Sequence, residues 1–148
     1  MTTYVFDTEP LIAYLYDEPG ADAVTDRLRS VYADDSTGFI SHATAVEIMY
    51  KVARLERGTP DHVPPSEDDL DVGKHDLRIF QGFGLGIETP SWAGVASIKA
   101  SGGISLGDSY AVALAKERDG TLVVGADPEF DDLPVDVPIE RVDAATDA

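Results

Sequence analysis

The chain of 148 residues contains no cysteine, which excludes disulfides and thiolate metal sites. No apolar run approaches the roughly 20 residues that cross a bilayer, and the first residues lack a basic region leading into a long apolar stretch. A secreted or membrane location is therefore not expected, and a cytoplasmic one is. Positive charge is scarce too: 28 acids face 11 bases, for a formal net charge of −17. With 43% hydrophobic residues the chain is nevertheless too apolar for a disordered acidic tail. Its length suits a single domain that buries its own core.

Lysine is scarce in particular. Only Lys51, Lys74, Lys99 and Lys116 are present, while aspartate outnumbers glutamate 19 to 9. Short, strongly hydrated carboxylates in place of long lysine stems keep a protein soluble where salt competes for water. The composition predicts a salt-adapted, halophilic setting. At about 1 M salt the Debye length is only about 3 Å, so the net charge would not repel a nucleic acid from a distance.

Tyr4-Val5-Phe6 and Leu122-Val123-Val124 are apolar runs that stop at small or acidic residues, as buried parallel strands do. Gly38 to Ser41, Gly86 to Thr89 and Ile139 to Val142 are weaker strand candidates. Val24, Leu28 and Val31 recur at helical spacing, as do Val46, Tyr50 and Ala53, and Tyr110, Ala113 and Leu114. Strands alternating with helices predict an α/β fold, with a central, mainly parallel sheet covered on both faces. Gly58 to Asp71, rich in proline and acids, is expected to be a surface loop inside one domain spanning 1–142, and 143–148 a flexible tail. Gly82 to Gly86 lacks dinucleotide-loop spacing and predicts a turn.

Asp7 and Asp127 follow the two strongest strands, and Glu47 and Asp108 lie near the starts of two helices. Each has a capping explanation: Asp7 before Thr8-Glu9-Pro10, Asp127 before Pro128, and the boxes Thr44 to Glu47 and Ser105 to Asp108. Their joint placement says more. In an open parallel sheet, functional groups gather outside the carboxyl ends of the strands, where all four acids are expected. Carboxylates sharing one crevice repel each other, and a hard divalent cation removes that penalty. The pattern points to a cage for Mg²⁺ or Mn²⁺ acting on a phosphodiester. His42, His62 and His75 form no ligand spacing, Ser41, Ser105 and Ser109 have no histidine partner, and Trp92 is expected in a core or interface.

These residues carry a family resemblance. Phe6-Asp7-Thr8 followed by Leu11 to Leu15, Glu47 within Ala43 to Ile48, Asp108 within Ile104 to Ala113, and Asp127 within Leu122 to Phe130 resemble, in order and spacing, the four motifs of PIN-domain nucleases. In size the chain most resembles VapC-type toxins. One position departs: the family carries Thr or Ser two residues before its last acid, and this chain has Gly125.

The resemblance implies a PIN-like three-layer α/β/α fold and a metal-dependent endoribonuclease, with Asp7, Glu47, Asp108 and Asp127 as both catalytic and metal-binding residues. It also implies a VapB-type antitoxin over the acidic crevice, for which a basic antitoxin residue would suit as a metal mimic, and a homodimer. Leu11, Tyr14 and Leu15 are open to a dimer surface or to the core. For the RNA substrate, Thr8, Lys51 and Arg54 are candidate contacts, against readings as a helix cap and a solvated helix face. Two rivals stand beside the nuclease: a haloacid-dehalogenase-like phosphatase, for which Glu9 is the wrong acid, and an inactive PIN-like scaffold that binds RNA or a partner.

Overall fold

The computed structural model describes residues 1–58, 60 and 62–146. The order is β1 (Thr2–Phe6), α1 (Thr8–Tyr16), α2 (Ala21–Tyr32), β2 (Ser36–Ser41), α3 (His42–Arg57), α4 (Glu67–Gly82), β3 (Gly86–Glu88), α5 (Trp92–Ala100), α6 (Leu106–Glu117), β4 (Thr121–Val124), a 3₁₀ turn (Pro128–Phe130) and β5 (Ile139–Arg141). The strands form one five-stranded sheet ordered β3-β2-β1-β4-β5, and every paired neighbour is parallel.

Neighbouring residues of one strand serve opposite cores. Phe6 and Val123 pack with Leu11, Val24, Leu28, Ile48, Val52 and Phe80 of α1 to α4. Val5, Leu122 and Val124 pack with Val95, Ile98, Val112 and Leu114 of α5 and α6. This period-two division makes the central strands continuously apolar and gives three layers, helices on both faces of the sheet.

The chain steps from β1 to β2 to β3 in one direction, then returns across the sheet to place β4 on the other side of β1. The reversal lies between β1 and β4, so a crevice opens outside their carboxyl ends. Asp7 follows the first of these strands and Asp127 lies just beyond the second.

Four local expectations are corrected. The expected loop 58–71 ends at Ser66, which opens α4 through a reciprocal capping box with Asp69; its Thr59 and Asp61 lie outside the described residues. Glu67, Asp68 and Asp69 thus serve the positive end of a helix dipole. On α3 the buried face is Ala45, Ile48, Val52 and Ala53, so of the expected Val46, Tyr50 and Ala53 only the last lies inside, and Val46 and Tyr50 stand 67% and 48% exposed. Ser41, not Thr44, caps α3, accepting from the Thr44 amide at 3.0 Å. Trp92 opens α5 at 83% exposure, which corrects the core half of its expected core or interface placement.

Leu11 is buried in the first core, with Tyr14 and Leu15 partly buried against it. The three histidines are exposed. At the other end, residues 143–146 close a hydrogen-bonded turn around Asp143 and Thr146, and Val142 is buried. Of the expected tail, residues 147 and 148 lie outside the described residues.

Candidate active site

A cavity of about 250 Å³ occupies the switch point, lined by Asp7, Thr8, Glu9, Glu47, Lys51, Ser105, Asp108, Asp127 and Glu129. Four pieces of chain supply it: the β1–α1 junction, α3, the start of α6 and the turn after β4. All four acids singled out in the sequence line it, with Thr8 and Lys51. Arg54 does not. Its guanidinium lies over the Tyr50 ring and reaches the carbonyls of Val63 and Pro60, holding the segment after α3.

Asp7 occupies the N-cap position of α1, yet its side chain makes no capping bond. It is only 5% exposed. Burial pushes its carboxyl up to about 7; the charges of Glu47 and Glu9 add to the rise, against the Thr8 amide and Lys51. Glu47 is half-buried and also raised, first by burial, with Lys51 pulling the other way. Room for its carboxylate comes from Gly107, where a Cβ would collide with it. Thr8 Oγ1 is buried and has no hydrogen bond of acceptable geometry, although Glu47 lies near enough for the hydroxyl to favour its charged form.

On the opposite wall, Ser105 caps α6 by accepting from the Asp108 amide at 3.2 Å. Asp108 is pushed up to about 8, first by burial and then by its hydrogen bond with the Glu129 carboxylate. Glu129 is held low by the same bond. A cation bound here would favour the charged form of both carboxyls. Asp127 caps the 3₁₀ turn, its Oδ1 accepting from the Glu129 amide at 2.9 Å. Asp127 therefore does serve as a cap, and the cap aims Glu129 at Asp108. Arg141 holds this turn from behind, donating to the carbonyls of Gly125 at 2.9 Å and Asp127 at 3.0 Å, and pairing with Asp131.

Oxygens of Asp108, Asp127 and Glu129 lie within 4.8 Å of one another, the tight group among the described residues. Ligands about 2.1 Å from a Mg²⁺ ion sit up to about 4.2 Å apart across it, so these side chains need close in by only a few tenths of an ångström around a single hard ion. The donors are all oxygen, Thr8 Oγ1 is unpartnered beside them, and no cysteine or histidine competes. The residues present fit a divalent cation.

Glu129 and Glu9 were not among the expected site residues. Glu129 stands within the closing motif, two residues after Asp127, and that spacing was its signal. Glu9 had no signal of its own, because its place depends on Gly125.

A family model of the PIN domain matches residues 4–136. The chain belongs to the PIN-domain family. PIN domains are generally metal-dependent nucleases, which agrees with the acidic crevice. Two solved structures share the fold of this PIN domain. The crystal structure of VapBC2 from Rickettsia felis bound to a DNA fragment from their promoter aligns at TM-score 0.71 and 18% identity, covering 96% of this chain and 100% of the other. The crystal structure of PAE2754 from Pyrobaculum aerophilum aligns at TM-score 0.55 and 21% identity, covering 86% and 76%. At these identities the likeness is one of fold. No curated protein matches this PIN domain. Among its described residues no helix is long and apolar enough to cross a membrane.

Proposed function

We propose that this PIN domain is a Mg²⁺-dependent endoribonuclease, with Mn²⁺ as substitute, and the toxin of a VapBC-type pair. The observation that carries this reading is the crowding of Asp7, Glu47, Asp108 and Asp127 into one cavity, at a cost in burial and repulsion that a bound cation offsets. Asp7 and Asp108 are the principal ligands in this reading, and Glu47, Asp127 and Glu129 complete the cage. A bound Mg²⁺ or Mn²⁺ supplies a water of lowered pKa and neutralises charge on the phosphoryl oxygens during in-line displacement.

The chain's own residues do the rest. Lys51, exposed on α3 one turn beyond Glu47, draws the phosphate backbone to the cavity mouth. Thr8 offers its free hydroxyl to a phosphate oxygen. Glu47, on the rim, takes the proton of the attacking water. Arg54 contributes at a distance, by holding the segment beside α3.

The fold shared with the VapBC2 structure supports a VapB-type antitoxin as partner, and the homodimer and the cytoplasmic location expected from the sequence belong to the same proposal. The aspartate-rich, lysine-poor composition supports a salty cytosol, so thermal stability should rise with added KCl.

The direct test incubates structured RNA with Mn²⁺ at high salt, comparing wild type, Asp7→Asn and EDTA controls. Cleavage by the wild type should fall more than about a hundredfold in the variant and in EDTA. Equal cleavage in all lanes would refute the reading. A scaffold without catalysis, the reading that Gly125 favours, would bind RNA and cut it in none of them.

A further inference from the structure

Gly125 follows β4 directly, two residues before Asp127, and its backbone does not require glycine. It is absent from the residues with positive φ, so an ordinary L-residue could adopt its conformation. Space is the reason instead. A Cβ at 125 would lie 2.6 Å from Oε2 and 2.7 Å from Oε1 of Glu9, far inside contact distance. The missing side chain is the seat of the Glu9 carboxylate.

Glu9 lies in the first turn of α1 and lines the same cavity as Asp7, Asp108 and Asp127. It has no ion-pair partner among the described residues. Like Asp7 and Glu47, it stands outside the tight group of Asp108, Asp127 and Glu129 oxygens. Thr8, 2% exposed and with its Oγ1 unpartnered, lines the same cavity. An acid on that cavity's wall without a base suits the water shell of a bound cation. Mg²⁺ keeps several of its waters, each carrying protons that need acceptors, and a carboxylate only accepts.

We propose that Glu9 is a positioning residue of the metal centre: seated over Gly125, its carboxylate accepts hydrogen bonds from the waters retained by a divalent cation. This rests on the cation-binding reading above and adds to it a residue and a reason for the glycine.

The test is calorimetric titration of Mn²⁺ into the full chain, as wild type, Glu9→Gln, Glu9→Ala, Gly125→Ala and the double alanine variant. Thermal melts of each metal-free form check folding. Glu9→Gln keeps the shape and loses the charge, and should weaken Mn²⁺ about tenfold with unchanged stoichiometry. Gly125→Ala should weaken it similarly by displacing Glu9, yet change nothing further once Glu9 is alanine.

Wild-type affinity in Glu9→Gln, or losses from Glu9→Ala and Gly125→Ala that simply add, would overturn the proposal. A wild type that binds no Mn²⁺ would instead defeat the cation reading, and this inference with it. Should Gly125→Ala fail to fold, Glu9→Gln alone decides, since a mere helix-dipole role for Glu9 leaves Mn²⁺ affinity unmoved.

Discussion

Gly73 and Gly125 both lack room for a side chain, and what fills that room differs. A Cβ at Gly73 on α4 would lie 2.6 Å from Met49 Cα on α3, so two helix backbones press together there, beside Ile48, Leu77 and Phe80. At Gly125 the neighbour is a carboxylate. The helix pair is complete in itself, because apolar surface meets apolar surface. The carboxyl edge of the sheet is not, because charge there meets charge. One glycine serves stability and the other serves binding.

The contrast is tested most severely at Asp7. Its folded pKa of about 7 lies above the ordinary 3.8, so the native state holds a proton that the unfolded state releases. Stability of the metal-free protein therefore falls as pH rises from about 4 to about 7, and stays low beyond. Asp7→Asn removes that loss: denaturant titration should show the variant gaining about 4 kcal/mol near pH 8 and almost nothing near pH 4. Saturating Mn²⁺ should reverse the order, because only the wild type gains binding energy.

Gly73→Ala makes the complementary break. Backbone cannot move aside as a flexible carboxylate can, so melts should show a loss of about 2 kcal/mol with Mn²⁺ affinity unchanged. Smaller again is Arg141→Met, which frees the turn carrying Asp127 and Glu129. Mn²⁺ affinity should drop about tenfold, with Arg141→Lys recovering part of it. At the bottom of the scale, Trp92→Ala should alter both stability and Mn²⁺ affinity negligibly, within about 0.5 kcal/mol, since its ring lies in solvent.

Sequence made the sheet legible because strands buried on both faces must be continuously apolar, and Tyr4-Val5-Phe6 and Leu122-Val123-Val124 are. It made the four acids legible because each stands where a strand stops or a helix starts. Helix α4 was hidden by its own N-terminus, whose acids and preceding prolines imitate a loop until Ser66 and Asp69 are seen to cap each other. Helix α5 was hidden by small residues, with only Val95 and Ile98 turned inward. On α3, Val46 and Tyr50 keep helical spacing as well as Ile48 and Val52 do, and only packing chooses between the faces. The least legible residue was Glu9, since its position depends on a side chain that a distant residue lacks.

The strand order has a consequence in time. β4 is made fourth yet pairs with β1, so Asp7 waits for Asp127 and Glu129 to be synthesised before the cage can close. At about 5–20 residues per second the wait is on the order of ten seconds. Throughout it the nascent chain carries its first carboxylates with no completed centre behind them. Under the proposed activity, topology shields the ribosome from its own product, and a cut becomes possible only when the last parallel neighbour of β1 has docked.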